Sequence, residues 1–207
     1  HAVVASAEMG HPCLVRISSR DPGLPSMDYL RASGGIFLDM TIHDFDMARY
    51  LGGEIAELQV MGNVLIDPAL NEIGDLDTCV VNLKFENGMV GCIDNCRQAV
   101  YGYDQRVEIL FSDGMLAVGN QSENMIITGR RDGFQTSRLT DFFMQRYGTC
   151  YVDEIRQFIT SVRDDIPTPV NGEDGRLAVL LGHAAWKSYH ENRPINLKAF
   201  EQERGAR

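Results

Sequence analysis

The hydrophobic residues of this chain change their spacing twice, and these changes outline the predicted elements. Apolar residues recur at helical spacing from Ile36 to Leu51, and the pair Gly52-Gly53 follows as a helix stop. The middle of the chain is rich in Val, Ile and Leu and alternates apolar with polar positions, which predicts β-strands. The predicted strands cover residues 14–19, 57–65, 78–85, 89–97, 106–111, 115–118 and 124–129.

Turn signals join several of these strands into hairpins. Asn87-Gly88 lies between two of them and is a strong hairpin signal, and Asp113-Gly114 is a second. The helical period returns at Tyr151–Val162 and at Glu173–His190, before a short edge segment at Pro194–Leu197 and a charged tail that we expect to fray. Hairpins in succession, bracketed by helices, indicate an α+β fold with an open, largely antiparallel β-sheet and helices packed on one face.

The other face of this predicted sheet has no cover. The strands at 79–83 and 90–93 carry apolar residues on both faces, and soluble monomers rarely expose such a surface. We therefore expect the other face to be available for oligomerisation, and the chain to form a homodimer or homotetramer through it.

The composition narrows the classes of partner. A formal net charge of −10 argues against nucleic acid and against anionic membrane surfaces. No apolar run approaches the roughly 18 residues of a membrane span. The five cysteines are odd in number and form no Cys-x-x-Cys pair, a usage that is typical of a reducing cytoplasm. A neutral small molecule or another protein remains as the expected partner.

One pair of side chains has a spacing suited to proton transfer. Asp39 lies four residues before His43, so a helix would place both on one face, where they could address one bound hydroxyl group. The alternative is an ion pair on a helix surface. A metal site is disfavoured, because two ligands are fewer than catalytic zinc requires and because Asp44 and Asp46 point elsewhere, Asp46 towards Arg49.

A second cluster contains aromatic hydroxyl groups. Tyr101 and Tyr103 are two residues apart on a predicted extended segment, so they would share one face and could form a wall for a polyol. Ordinary packing is the alternative for this pair, as it is for Tyr147. The polar strand end that includes Arg20 and Asp21 could line the same cleft.

Several motifs together resemble one enzyme family. Gly34-Gly35, Asp39, His43 and Asp46 match the Gly-Gly-x3-Asp-x3-His-x2-Asp signature of the glucose–fructose oxidoreductase and inositol dehydrogenase family. The resemblance extends from about Gly10 to Leu197. The segments 16–22, 93–95, 98–106 and 169–175 resemble the inositol 2-dehydrogenase branch in particular.

This resemblance implies the C-terminal, substrate-binding half of an NAD-dependent enzyme that oxidises a secondary hydroxyl of myo-inositol or a related polyol to a ketone. It implies that residues 11–207 are this domain and that residues 1–10 are the remnant of a preceding helix or linker. His43 would accept the hydroxyl proton, and Asp39 would orient His43 or hydrogen-bond the reacting hydroxyl. The residues that would line the polyol site are Arg20, Asp21, Tyr101, Tyr103 and Tyr147.

The chain also departs from the family pattern. It contains no Gly-x-Gly-x-x-Gly phosphate loop and no Glu-Lys-Pro motif, so the Rossmann half is absent. We therefore expect no cofactor and no turnover in this chain alone, and NAD or NADP in the full-length protein. Two alternatives stay open: a dehydrogenase of the same family for another sugar or diol, and a non-catalytic binding or oligomerisation module.

Overall fold

A seven-stranded open sheet organises the structure, a computed structural model that describes residue 4 and residues 8–205. Most of the predicted remnant 1–10 lies outside the described residues. In chain order the strands are β1 (Pro12–Arg20), β2 (Ile55–Asn63), β3 (Thr78–Phe85), β4 (Val90–Cys96), β5 (Asp104–Phe111), β6 (Met115–Val118), β7 (Ile127–Arg130), β8 (Gly133–Thr136) and β9 (Ile195–Asn196). The order in the large sheet is β6-β5-β1-β4-β3-β2-β9, and β7 and β8 form a separate hairpin.

Helices cover one face of this sheet. The helices of the described chain are, in order, α1 (Met27–Ser33), α2 (Ile36–Asp39), α3 (Thr41–Gly52), α4 (Leu70–Ile73), α5 (Phe143–Asp164), α6 (Gly172–Glu191) and α7 (Leu197–Gly205). Helices α3, α6 and α7 contact the sheet, and α3 also packs against α6. The predicted α+β architecture is confirmed. Within the described part of the chain, no helix has the length and apolar character needed to cross a bilayer.

Strand β1 lies in the interior of the sheet, between β5 and β4. It runs parallel to β4 and antiparallel to β5, while the other pairs in the sheet are antiparallel. Both predicted hairpins are confirmed: Gly88 takes a positive φ of 90° between β3 and β4, and Gly114 lies between β5 and β6. Alternation along β1 turns Ile17 and Ser19 towards the helices and Arg20 towards the open face.

The core lies between the sheet and the helix layer. Its most buried residues include Ile36 and Phe37 of α2, Phe45 of α3, Val81 of β3 and Ile93 of β4, all with no exposed surface. Burial of side chains of this size contributes roughly 1.5–3 kcal/mol each to stability. The buried side chains of Ile36 and Phe37 thus hold the short helix α2 against the core, and this fixes the position of Asp39 at its end.

Several predicted elements differ in the structure. The predicted helix from Ile36 to Leu51 is interrupted at Met40, whose backbone (φ −109°, ψ −61°) departs from helical values, and His43 N–H bonds Met40 O at 3.3 Å in a tighter turn. The tail that was expected to fray is helical as far as Gly205, because Phe200 of α7 is buried against the core.

The predicted helix at 151–162 is confirmed but is longer and less buried than its pattern suggests. Helix α5 presents its apolar stripe to solvent, with side chains between about half and two-thirds exposed. Amphipathic spacing therefore identifies the helix correctly without identifying what covers it. The exposed members of the stripe are Val152, Ile155, Phe158, Ile159 and Val162.

Candidate functional site

Two glycines set the entry to the site. Gly34 ends α1 in the left-handed conformation, with φ 88°. Gly35 is the N-cap residue that precedes α2, with φ 82° and ψ 174°, a region that is almost restricted to glycine. A Cβ atom on Gly35 would lie 2.4 Å from Trp186 Cζ2 and 2.9 Å from Asp75 Oδ1. The tight turn therefore places the four residues of α2 directly over the core, with Asp39 at their end.

Both carboxylate oxygens of Asp39 have hydrogen-bond donors. Tyr29 OH donates to Oδ1 at 2.5 Å, and Arg97 Nη1 donates to Oδ2 at 2.8 Å. Arg97 has no exposed side-chain surface, whereas the Asp39 side chain is 15% exposed. Arg97 Nη2 also pairs with Asp75 Oδ2 at 3.3 Å. The Asp39 carboxylate is thus held by two hydrogen bonds and remains partly accessible to solvent.

His43 lies in the first turn of α3 and is exposed. Among the described residues, none forms a hydrogen bond with its imidazole. Asp39 therefore does not orient His43 by a hydrogen bond in this structure, although the two residues lie four positions apart. The remaining predicted role of Asp39, a bond to a bound hydroxyl, is compatible with its accessible carboxylate. Asp46 lies 3.9 Å from Arg49, as predicted, and takes no part in this site.

A buried carboxyl group next to His43 escaped the sequence prediction. Asp44 is 5% exposed; Ser19 Oγ donates to its Oδ1 at 2.5 Å, and Asn95 Nδ2 donates to its Oδ2 at 2.7 Å. Burial raises the pKa of Asp44 to about 7, although these two hydrogen bonds oppose the rise. The signal was available, since Asp44 lies one turn from the buried Met40 and one turn from the buried Ala48.

Asp21, a predicted substrate residue, lies within electrostatic reach of Arg97 and Asp39. Burial raises its pKa to about 6; the charge of Arg97 opposes the rise and the charge of Asp39 adds to it. The described residues offer its carboxylate no hydrogen bond. Asp21 is thus a partly buried acid beside the Arg97–Asp39 pair, with free acceptor capacity.

Tyr103 and Tyr147 also lie on the helix side of the sheet. Their rings meet edge to face with centroids 6.4 Å apart, and Phe142 packs on Tyr103 at 6.0 Å. Tyr103 is 8% exposed, and burial raises the pKa of both phenols. The charges of Asp21 and Asp44 add to the rise in the pKa of Tyr103, and the charge of Asp44 adds to the rise in the pKa of Tyr147.

The structure places Arg20 and Tyr101 together, but on the face of the sheet opposite the site around Asp39. Arg20 Nη1 donates to Tyr101 OH at 3.0 Å, and both groups contact Asp104 on the open face of the sheet. The prediction that Tyr101 and Tyr103 share a face is wrong, because Gly102 takes φ 122° and interrupts the extended backbone. Burial would raise the pKa of Asp104, but hydrogen bonds from Arg106, Tyr101 and Asn120 hold it at about 2. These residues form a structural network on the opposite face from Asp39.

The connection that follows β1 does not form a phosphate-binding loop. The connection between β1 and α1 has one glycine, Gly23, and the first turn of α1 is already capped by Ser26 Oγ, which accepts the Tyr29 N–H at 3.4 Å. A glycine-rich phosphate cradle of the kind that dinucleotides require is therefore not formed at this connection. Over the same residues, no cluster of three or more His, Cys, Asp or Glu side chains is arranged to hold a metal ion.

Comparison with known proteins supports the resemblance found in the sequence. Myo-inositol 2-dehydrogenase of Thermotoga maritima is 48% identical over 196 residues, which are 94% of this chain and 59% of that protein. A crystal structure of a probable dehydrogenase from Thermotoga maritima matches with a TM-score of 0.92 at 47% identity and covers 96% of this chain and 60% of the other. The chain thus spans about 59% of the length of the curated relative.

A more distant structure supports the fold alone. Scyllo-inositol dehydrogenase from Lactobacillus casei, solved with bound cofactor NAD(H) and scyllo-inositol, matches with a TM-score of 0.86 at 24% identity and covers 95% of this chain and 60% of the other.

The model of the GFO/IDH/MocA C-terminal domain matches residues 1–117, which are more than half of the sequence. The chain therefore belongs to the GFO/IDH/MocA family of oxidoreductases, whose C-terminal domain it carries.

Proposed function

We propose that this chain is the substrate-binding half of an NAD-dependent dehydrogenase that oxidises a secondary hydroxyl of myo-inositol or a related polyol to a ketone. Residues 11–207 would form the substrate domain, and a nucleotide-binding domain outside this chain would complete the enzyme. The observation that carries the proposal is the accessible pair of Asp39, fixed by two donors, and His43, exposed one turn further on. The 48% identity to a myo-inositol 2-dehydrogenase supports this choice of substrate.

In this proposal His43 takes the proton of the reacting hydroxyl. Oxidation of a secondary alcohol removes the proton from the hydroxyl oxygen and a hydride from the carbon that bears the hydroxyl, and the C–O single bond becomes a carbonyl. A neutral imidazole is suited to accept that proton near pH 7. Because His43 is exposed and its imidazole has no hydrogen bond within the described chain, it is free to meet a substrate hydroxyl.

Asp39 and its neighbours would hold the polyol. Each carboxylate oxygen has two lone pairs, so Asp39 can accept a substrate hydroxyl while keeping its bonds from Tyr29 and Arg97. Asp21 offers a second acceptor, and the rings of Tyr103 and Tyr147 provide an apolar wall with hydroxyl groups. Arg20 and Tyr101, on the open face, are left out of this substrate site.

NAD would be held by the domain outside this chain, and when bound it supplies the hydride acceptor. The chain itself contributes the groups that bind the polyol and move the proton. We therefore expect residues 1–207 alone to bind a polyol weakly and to show no turnover.

We also propose that the chain assembles as a homodimer or homotetramer through the open face of the sheet. Met61 of β2 and Val80 of β3 are paired in register on that face and are 63% and 38% exposed. Val90 of β4 and Leu110 of β5 extend the apolar area across the sheet, with exposures of 50% and 45%. Apolar surface of this kind is typical of subunit contacts.

The test uses the complete enzyme, meaning this chain joined to its nucleotide-binding domain, with a panel of inositol isomers and aldoses and with NAD and NADP. We expect His43→Gln and Asp39→Asn to lower kcat/KM for the best substrate by roughly 10²–10⁴ without changing the oligomer size. His11→Gln and Asp28→Asn are matched controls at exposed positions and should leave the rate unchanged.

The same experiment separates the alternatives. An aldose or another diol as the best substrate, with the same loss in both variants, would place the enzyme elsewhere in the family. Variants that oxidise inositol at the normal rate but lose their assembly would contradict the catalytic role and favour a binding or oligomerisation module.

A further inference from the structure

Arg97 is the largest of the fully buried side chains in the described structure. Removal of a guanidinium from water costs several kcal/mol unless opposite charges and hydrogen bonds compensate. Two carboxylates do so here: Asp39 accepts from Nη1 at 2.8 Å, and Asp75 accepts from Nη2 at 3.3 Å. The main-chain oxygen of Leu76 accepts from Nε at 3.4 Å. These three acceptors together compensate for the burial of the Arg97 charge.

The contacts of Arg97 fix both ends of α2. Asp75 Oδ1 accepts the main-chain N–H of Ile36, the first residue of α2, at 2.8 Å, while its Oδ2 faces Arg97. Asp39, the last residue of α2, receives Nη1 of the same guanidinium. One cation therefore connects the start and the end of a four-residue helix. The planar guanidinium makes this connection directional, which a single ammonium could not reproduce.

The two carboxylates differ in their access to solvent. The side chain of Asp75 is 4% exposed and that of Asp39 is 15% exposed. Asp75 is therefore the internal counter-ion, and Asp39 is the partner that a ligand can reach. Asp21 lies within electrostatic reach of the same guanidinium, so Arg97 also offsets repulsion between Asp21 and Asp39.

We propose that Arg97 is a positioning residue for the reaction, which holds the Asp39 carboxylate in the orientation needed to accept a hydrogen bond from the reacting polyol. This inference rests on the proposed function, because it gives Arg97 a role through Asp39. Tyr29, which donates to the other oxygen of Asp39 from a half-exposed position, is the second support. Arg97 itself is buried and does not touch the substrate.

The central test is a double-mutant cycle in the complete enzyme. We expect Arg97→Met to lower kcat by about 100-fold, the size of effect that misplacement of a reacting group by 1 Å produces. If Arg97 acts through Asp39, the double variant Arg97→Met/Asp39→Asn should be no slower than Asp39→Asn alone. Multiplied losses in the double variant, or a normal kcat in folded Arg97→Met, would overturn the inference.

Two further measurements separate positioning from folding. Arg97→Lys keeps the buried charge and should fold, yet kcat should fall at least tenfold with a smaller change in KM, because one ammonium cannot replace the guanidinium fork. Guanidinium added to Arg97→Ala should restore part of the lost rate. Guanidinium would be added as its chloride salt, and sodium chloride at the same ionic strength is the control. A normal rate in Arg97→Lys together with no rescue of Arg97→Ala would contradict a role in orientation.

A spectroscopic readout does not depend on turnover. Because the charge of Arg97 lowers the pKa of Asp21, its loss should raise the pKa of that carboxyl above about 6 in an NMR titration of this chain. Arg31→Gln, at an exposed arginine that pairs with Asp28, is the matched control and should leave the titration unchanged.

If Asp39→Asn in the complete enzyme is fully active, the proposed function fails, and this result is distinct from a failure of the Arg97 cycle.

Discussion

Ser19 Oγ lies 2.5 Å from Asp44 Oδ1 and 2.9 Å from Gln105 Oε1, so one hydroxyl hydrogen faces two acceptors whenever Asp44 is charged. A proton on Asp44 Oδ1 removes this conflict: Asp44 then donates to Ser19, and Ser19 donates to Gln105. Asn95 Nδ2 donates to Asp44 Oδ2 in either state. The neutral acid is therefore the form that satisfies each of these hydrogen-bonding groups.

This arrangement predicts a stability that depends on the charge of Asp44. Its pKa rises from an ordinary value of 3.8 to about 7 in the folded chain, so the folded state retains a proton that the unfolded state has lost between these pH values. The stabilisation is complete below about pH 4, and it is lost as the pH rises towards 7. The free energy of unfolding should fall by a few kcal/mol over this interval.

The variant Asp44→Asn tests this origin. Its amide can donate to Ser19 and accept from Asn95, so it imitates the neutral acid at every pH. Urea unfolding at pH 5 and pH 8 should show similar stability for Asp44→Asn and wild type at pH 5, and a more stable variant at pH 8. A smaller slope from Asp21, with its pKa of about 6, should persist in the variant. An unchanged slope in Asp44→Asn would contradict the assignment.

Gly35 should not tolerate a side chain. Gly35→Ala would place a methyl group 2.4 Å from Trp186 Cζ2 at a backbone conformation that costs about 1–3 kcal/mol for a residue with a Cβ. We expect a loss of at least about 2 kcal/mol in urea unfolding. Gly23→Ala is the matched control, since no atom lies within 4 Å of its Cβ position. Equal stability of the two variants would show that the turn before α2 is not constrained.

Two cysteines should differ in their rate of alkylation. Cys79 is 2% exposed, and burial raises the pKa of its thiol to about 12, so almost none of it is thiolate at pH 8. Cys150 on α5 is exposed. Brief treatment of the folded chain with iodoacetamide, followed by peptide mass spectrometry, should find Cys150 modified and Cys79 intact. Both should react in urea, and labelling of Cys79 in the folded chain would show that this part of the sheet opens.

A charge on the open face of the sheet should dissociate the proposed oligomer. Val80→Glu and Met61→Glu would bury a carboxylate in the contact, which is unfavourable without a partner. Light scattering should find an assembly for the wild type and a monomer for each variant. Val179→Glu, at an exposed position on α6, is the control on the helix side and should leave the mass unchanged. A wild-type monomer would count against the sheet face as an interface.

Much of the fold could be predicted because it depends on local signals. Alternation located the strands of the large sheet, and Asn87-Gly88 located the hairpin between β3 and β4. The parallel pairing of β1 with β4 was not predictable in this way, because it depends on which strands meet after the chain has folded. The backbone departures at Met40 and Gly102 likewise depend on local geometry that spacing rules take to be regular.

The site was predicted in part. Asp39 and His43 stood out because their spacing suggests shared chemistry, whereas Arg97 has no such partner nearby in the sequence. Alternation along β4 could have found it, since Ile93, Asn95 and Arg97 all point into the core. The sequence also could not show that Arg20 and Tyr101 lie on the opposite face, which follows from the register of β1 and the turn at Gly102.

The interior position of β1 between β5 and β4 has a consequence for how the chain reaches its native state. Ser18 on this strand bonds Asp94 across a separation of 76 residues, and Ser19 meets Gln105 across a separation of 86. Strand β1 must therefore wait until synthesis has reached β4 or β5 before either neighbour exists. A high contact order of this kind favours slow folding and leaves an unpaired strand exposed to chaperones in the interval.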